Sequence, residues 1–95
     1  MLFASIGIDK PDGAKLRSAK VSAHLDYLHA TGAVKLAGPF LDDKGGMIGS
    51  LLIIEAATSE KAEAWVANEP FNKAGLFARC ELHPWFTVIN SLDTA

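Results

Sequence analysis

The chain has 95 residues, of which 49 % are hydrophobic and 21 % are charged, so its size and composition are those of one globular domain and not of a disordered tail. Its formal net charge is −2 and its nine basic residues are scattered, which excludes a nucleic-acid partner, because recognition of nucleic acids needs a basic surface. No apolar stretch approaches the ~20 residues of a membrane-spanning helix, so we predict a cytoplasmic protein with no membrane partner.

The N-terminal third of the chain predicts a strand followed by an amphipathic helix. In the first strand the apolar residues alternate along one face, at Leu2, Ala4, Ile6 and Ile8. From residue 14 to residue 30 the apolar spacing lengthens to four and three residues, as in a helix with one buried face, at Val21, Leu25 and Leu28. Gly32 is the expected C-cap of this helix.

Two further strands and a tight turn follow the first helix. Residues 34–37 are apolar and are followed by Gly38-Pro39, which predicts a short strand that enters a turn. The next loop is rich in aspartate and glycine, and the strand at 47–55 carries a run of apolar residues. We expect these strands to form a hairpin, in which Asp42 and Asp43 are ordinary turn residues.

The C-terminal half predicts a second helix and two more strands. Thr58 or Ser59 could cap a helix that ends just before Pro70. Alternation at 76–82 predicts a strand, and a further short strand is expected at 85–89. The predicted order is therefore β-α-β-β-α-β-β.

Two strand–helix–strand units in series favour an α+β fold, the ferredoxin-like βαββαβ arrangement, with an antiparallel sheet, both helices on one face and one added strand. The other face of the sheet stays open in a chain too small to cover it. We therefore expect two copies to pair face to face as a two-fold dimeric α+β barrel. Residues 1–95 form this single domain, with a polar tail from about residue 91.

His24 is the strongest candidate for a reactive group. It lies three residues after Val21 and four before Leu28, so it is expected to face the sheet and to be partly dehydrated. Glu69 comes immediately before the rigid Pro70 and could orient the imidazole through one ring nitrogen, which leaves the other free for proton transfer. The residues by themselves leave two alternatives open, a core histidine with one satisfied hydrogen bond and a solvated acid.

The remaining polar groups give weaker signals. His29, near a helix end, and His83, before a proline, are expected to be structural or solvent-facing. Cys80 alternates with Leu76 and Leu82 on a strand face that is expected to be buried, so we interpret it as packing and not as a nucleophile. No His or Cys pair has the spacing of metal ligands and no dinucleotide or phosphate-binding motif is present, so neither a metal nor a cofactor is expected.

Five short motifs occur in the order seen in one known family: AHLDYL at 23–28, AGP at 37–39, IGS at 48–50, EPF at 69–71 with AGL at 74–76, and a proline before the last strand. Through these motifs, nearly the whole chain resembles the YCII-related proteins. The resemblance implies a ferredoxin-like fold, a homodimer, and a cleft in each protomer with a histidine and an acidic residue as a proposed catalytic pair. One branch of that family resembles dehydrochlorinases that act on chlorinated hydroxyaromatic compounds.

The resemblance implies that His24 and Glu69 are the catalytic pair, and it marks as substrate-binding residues Gly38, Pro39, Ser50 and Phe71. The acidic residue of the family is usually Asp, and Glu69 is longer by one carbon–carbon bond, ~1.5 Å. The preferred interpretation is a cofactor-independent lyase, isomerase or hydrolase that acts on a small, hydroxyaromatic molecule with His24 as general acid and base. The alternatives are a small-molecule-binding or accessory domain without turnover, and a purely structural interaction module.

Overall fold

The computed structural model describes residues 1–92 of the chain. The elements in chain order are β1 (Leu2–Asp9), α1 (Ala14–Thr31), β2 (Val34–Leu41), β3 (Met47–Glu55), α2 (Ser59–Ala67), α3 (Pro70–Lys73) and β4 (Phe77–Trp85). The strands form one antiparallel sheet of four strands in the order β2-β3-β1-β4. The protein is therefore α+β with the ferredoxin-like arrangement that the sequence predicts.

Both edge strands are longer than their sequence patterns predict. The prediction ends β2 before Gly38-Pro39, but the strand continues through both residues. This is possible because β2 lies at the edge of the sheet, where a proline can turn its missing N–H away from the neighbouring strand. β4, on the opposite edge, continues through Pro84, and within residues 1–92 no separate strand forms at 85–89, so the prediction of an added strand is wrong.

The side of β1 that faces the helices carries small residues at two of its positions. Phe3, Ser5 and Gly7 lie on this side, and their partners on β3 are Ile54, Leu52 and Ser50. The apolar core between sheet and helices consists of Phe3, Leu28, Leu52, Ile54, Ala62 and Val66. Because this core lies towards one end of the sheet, the small residues at positions 5 and 7 leave room beneath α1 for polar side chains.

α1 buries polar residues against the sheet. Its buried residues are Arg17, His24 and Leu28, which are separated by about two turns and one turn of helix. Val21 and Leu25, which the sequence pattern placed on the buried face, are 39 % and 46 % exposed, so that part of the prediction is wrong. The buried face is rotated towards Arg17 and His24 because each of these side chains meets a carboxylate beneath the helix.

The helix ends agree with the sequence signals. Gly32 closes α1 in the left-handed conformation, with φ of 67°, which glycine adopts without steric cost. Thr58, not Ser59, caps α2, and its side-chain oxygen accepts a hydrogen bond from the backbone N–H of Lys61 at 3.1 Å. No helix of the described residues is long and apolar enough to cross a membrane. The cytoplasmic location stays a prediction.

Gly7 offers a test of how tightly the sheet packs below the site. A Cβ atom at this position would lie 2.7 Å from the ring of Phe77, so we expect Gly7→Ala to lower the free energy of unfolding by about 1–3 kcal/mol through overpacking. Gly38→Ala is the matched control, because no atom lies within 4 Å of a Cβ built there. Urea unfolding of both variants measures the difference, and equal stability of the two would contradict the packing argument.

Candidate active site

His24 and Glu69 form a buried hydrogen-bonded pair between α1 and α3. His24 is 7 % exposed and Glu69 is 2 % exposed, and His24 Nδ1 contacts Glu69 Oε1. Since a carboxylate accepts hydrogen bonds, the Nδ1–H of the neutral imidazole donates to Glu69. The sequence predicted this pairing, and the longer glutamate side chain does not prevent it.

Glu69 is held in place by the start of α3, an element that the sequence prediction missed. Pro70 was expected only to end the preceding helix, but it occupies the first turn of α3, where its lack of an N–H costs nothing. Glu69 is the N-cap of this short helix, and its Oε2 accepts a hydrogen bond from Asn72 N at 3.3 Å. One carboxylate therefore contacts both α3 and His24, which fixes its position from two sides.

The second ring nitrogen of His24 remains available. Nε2 has no hydrogen-bond partner within residues 1–92, and no buried side-chain nitrogen or oxygen in that part of the chain lacks one. Nε2 is therefore not fully enclosed, and His24 lines an open cleft. The imidazole also stacks on Phe71, with ring centroids 3.9 Å apart and planes inclined by 14°. The ring is thus held by a stack and a carboxylate, with one nitrogen free.

A second buried ion pair lies beside the first. Arg17 donates from Nε to Asp9 Oδ2 at 2.7 Å and from Nη2 to Asp9 Oδ1 at 2.8 Å. The same Nη2 donates to Ser50 Oγ at 3.0 Å, and the guanidinium carbon lies 4.7 Å from the centroid of the Phe71 ring. The sequence analysis did not single out Arg17 or Asp9. The available signal was the seven-residue spacing from Arg17 to His24, which places both on one helix face.

The cleft above these pairs has a volume of about 270 Å³ and lies between α1, β2, β3 and α3. All of the predicted substrate-binding residues line it, and so do both buried polar residues of α1: Gly38, Pro39, Ser50, Phe71, Arg17 and His24. Glu69 does not line the cleft but lies behind the histidine, beside a small internal void. In this geometry His24 can touch a ligand in the cleft, whereas Glu69 can only orient His24.

Tyr27 lies near the pair without joining it. Its hydroxyl donates a hydrogen bond to the carbonyl oxygen of Trp65 at 2.8 Å. Partial burial, together with the negative charge of Glu69, raises the pKa of Tyr27. The phenol therefore stays protonated at neutral pH and acts as a packing hydrogen-bond donor.

The other polar residues named by the sequence analysis lie outside the cleft. Asp42 closes the β2–β3 turn, where its Oδ1 accepts hydrogen bonds from Lys44 N and Gly46 N. His29 is exposed near the end of α1, and His83 is exposed beside Glu81. Within residues 1–92, no cluster of three or more His, Cys, Asp or Glu side chains could hold a metal ion.

Cys80 is exposed, so the prediction that it lies on a buried strand face is wrong. The physical reason is its position on β4, an edge strand with only one neighbouring strand. Partial burial nevertheless raises the pKa of the Cys80 thiol, and the charges of Glu69 and Glu81 raise it further, against a hydrogen bond with Ser5 that lowers it.

The sequence of this chain is similar to known proteins over most of its length. The family model of the YCII-related domain matches residues 1–86. The chain is 32 % identical over 94 residues to Protein YciI of Escherichia coli, covering 90 % of this chain and 96 % of that protein, and the figures are the same for Protein YciI of Shigella flexneri.

Two solved structures resemble this chain to different degrees. One is 5-chloro-2-hydroxyhydroquinone dehydrochlorinase (TftG) from Burkholderia phenoliruptrix in complex with 2,5-dihydroxybenzoquinone, which is 36 % identical, with a TM-score of 0.82 over 90 % of this chain and 94 % of that one. An antibiotic biosynthesis monooxygenase is 14 % identical, with a TM-score of 0.54 over 92 % of this chain and 100 % of that one. The second likeness concerns the fold alone.

The hydrogen bond from His24 to Glu69 predicts one tautomer of the neutral ring. We expect the proton on Nδ1 and a bare Nε2, because only Nδ1 faces a carboxylate. Long-range ¹H–¹⁵N NMR correlations of the imidazole distinguish the two tautomers. A neutral ring with its proton on Nε2 would contradict the proposed orientation of the pair.

The double role of Glu69 predicts graded losses of stability. Glu69→Ala leaves His24 Nδ1–H and Asn72 N–H without acceptors, and each orphaned buried donor costs about 1–3 kcal/mol. Glu69→Gln retains one acceptor oxygen, so we expect a smaller loss in the free energy of unfolding, measured in urea. If Glu69→Ala were as stable as the wild type, the carboxylate would not be the anchor of α3.

The exposed Cys80 predicts a pH-dependent reaction with thiol reagents in the folded protein. Because the thiolate is the nucleophile and the pKa of the thiol is raised, labelling should be slower near neutral pH than in the urea-unfolded chain and should accelerate as the pH rises. Rates measured between about pH 7 and 9 in both states test this. Equal rates near neutral pH, or no labelling of the folded protein, would contradict it.

Proposed function

The chain belongs to the YCII-related domain family, and from this membership and the buried pair of His24 and Glu69 we propose that it is a cofactor-independent enzyme acting on a small hydroxyaromatic molecule by general acid–base catalysis. One observation carries the proposal. His24 has one ring nitrogen held by a buried carboxylate and the other without a hydrogen-bond partner in residues 1–92, on a ring that lines an open cleft. This is the arrangement that a histidine base requires.

The proposed step is a proton transfer at Nε2. A hydroxyl or C–H proton of the substrate passes to Nε2, and the resulting imidazolium donates from Nδ1–H to Glu69, which stabilises its charge. The imidazolium then returns the proton to the product or to a leaving group. Glu69 does not touch the substrate in this scheme, so it is a positioning residue, whereas His24 is the catalytic residue.

The size and walls of the cleft support a one-ring substrate. Its volume of about 270 Å³ lies just below the ~300 Å³ at which pockets for drug-sized ligands begin. Leu25, Leu28 and Pro39 supply apolar walls, and Arg17, Ser50 and His24 supply polar groups. The structural neighbour with 36 % identity is named as a dehydrochlorinase and is bound to a dihydroxyquinone, which favours a lyase among the possible reaction types.

The functional unit that we propose is a homodimer formed through the open face of the sheet. In each protomer this face carries apolar side chains from three strands. Ala4 and Ile53 are buried, whereas the partly exposed ones are Leu2, Ile6, Ile8, Leu36 and Leu51. Residues 86–92 continue this face with exposed Phe86, Val88, Ile89 and Leu92. Apolar surface of this extent is stabilised when a second copy covers it.

Light scattering over a dilution series tests the dimer. We expect the wild type to have the mass of two chains at micromolar concentration. We expect Leu36→Glu, which places a charge at a half-exposed position of this face on the edge strand β2, to shift the protein towards monomer. Leu16→Glu, on α1, is the control on the helical side. A wild type that is monomeric at all micromolar concentrations would contradict this assembly.

A paired variant experiment tests the enzymatic proposal. In a screen of hydroxyaromatic, haloaromatic and lactone compounds, His24→Gln should lower turnover of any substrate by about 10²–10⁴-fold, which is the usual contribution of a positioned general base. His29→Gln is the matched control, since it makes the same change on the same helix at an exposed position, and it should leave turnover unchanged.

Two outcomes would count against the enzymatic proposal. Equal turnover by His24→Gln and the wild type would remove His24 from the mechanism. Binding of a panel compound without any turnover would instead support a small-molecule-binding or accessory domain.

A further inference from the structure

Arg17 has an unused hydrogen-bonding edge at the cleft. Its Nε and Nη2 donate to Asp9 and Ser50, whereas Nη1 has no partner within residues 1–92. Because no buried side-chain nitrogen or oxygen of these residues lacks a partner, Nη1 must reach solvent. Arg17 is only 7 % exposed and lines the cleft, so this small exposed part points to the cleft.

The guanidinium is held rigidly, from several sides. Asp9 accepts two parallel hydrogen bonds, Ser50 accepts a third, and the ring of Phe71 lies 4.7 Å from the guanidinium carbon. Asp9 also compensates the positive charge, so the pair offers fixed N–H donors rather than a free cation. Donors fixed in advance stabilise an oxygen on which negative charge develops, because they need no reorganisation during the reaction.

Arg17 and His24 can address the same small ligand. The guanidinium carbon and the imidazole centroid lie 4.7 Å and 3.9 Å from the same point, the centroid of Phe71. The distance between the guanidinium carbon and the imidazole centroid is therefore at most the sum of these two distances. One six-membered ring with oxygen substituents can reach both groups. Ser50 adds a hydroxyl at the Arg17 side, because its Oγ accepts from Nη2 and keeps its own proton to donate.

We propose that Arg17 Nη1 and the Ser50 hydroxyl form an oxyanion subsite, and that the substrate is a planar ring with an acidic hydroxyl conjugated to a second oxygen. This inference rests on the proposed function. The hydroxyl proton passes to His24 Nε2, the electron pair of the O–H bond moves into the conjugated ring, and the negative charge on the second oxygen accepts hydrogen bonds from Arg17 and Ser50. Asp9 is a positioning residue for Arg17.

Two ligands that differ only in the acidic hydroxyls test the subsite. The probes are 2,5-dihydroxybenzoquinone and its dimethoxy analogue, and calorimetry measures their dissociation constants. All proteins carry Cys80→Ser, because an exposed thiol adds to quinones. The parent protein should bind the dihydroxy compound about 10- to 100-fold more tightly, which is the contribution of charge-assisted hydrogen bonds.

Variants of the subsite should remove that preference. Arg17→Gln alone would leave Asp9 buried and unpaired, so Arg17→Gln is combined with Asp9→Asn, and the ratio of the two dissociation constants should fall to near one. Ser50→Ala, which removes one donor and keeps the ion pair, should lower the ratio by about 3- to 10-fold. If the double variant does not fold, Ser50→Ala alone tests whether the subsite exists.

His24→Gln separates this inference from the proposed function. It should lower turnover by about 10²–10⁴-fold and keep most of the binding preference. The subsite is overturned if the parent shows no preference, if the preference persists in the Arg17 and Ser50 variants, or if only His24→Gln removes it. None of these results depends on turnover, so a failure of the subsite and a failure of the enzymatic proposal are distinguishable.

Discussion

The buried carboxylate of Glu69 is the constraint on which the rest of the site depends. A carboxylate that is 2 % exposed is stable only if hydrogen-bond donors replace its lost water. Glu69 finds them in the imidazole of His24 and in the backbone N–H of Asn72. One side chain therefore fixes both the orientation of the histidine and the start of α3, the helix that carries Phe71.

Phe71 couples the two ion pairs without any charge of its own. Its ring stacks on His24, lies near the guanidinium of Arg17, and meets Phe77 edge-on at a centroid distance of 6.3 Å. Phe77 in turn occupies the space that a side chain at Gly7 would need. The geometry of the polar groups is thus supported from below by an aromatic column that ends on the backbone of β1. Rigid support of this kind is what a proton-transfer site requires.

The location of the cleft follows from the arrangement of the sheet. β2 is an edge strand, and the cleft lies between it and α1, whose Arg17 donates hydrogen bonds to Asp9 of β1 and Ser50 of β3. Exposed apolar residues of α1, Val21 and Leu25, form one wall of this cleft. The open face of the sheet lies on the opposite side of the strands. Self-association through that face would therefore leave the mouth of the cleft on the helical side of each protomer.

The sequence by itself determined the four strands and the two long helices, the Gly32 cap of α1 and the position of His24 on the sheet-facing side of that helix. These features depend on local periodicity and on turn and capping residues, which can be recognised without the tertiary structure. The resemblance to a known family identified in advance five of the residues that line the cleft, His24, Gly38, Pro39, Ser50 and Phe71, but not Arg17.

Only the tertiary structure decided which polar residues are buried and which apolar ones are not. Arg17 and Asp9 look like surface charges in the sequence, and each is buried because the other neutralises it. Val21 and Leu25 look like core residues and are exposed because that ion pair and His24 occupy the face beneath α1. Cys80 alternates like a core residue but lies on an edge strand. Burial depends on contacts between residues distant in the chain, which a local pattern does not contain.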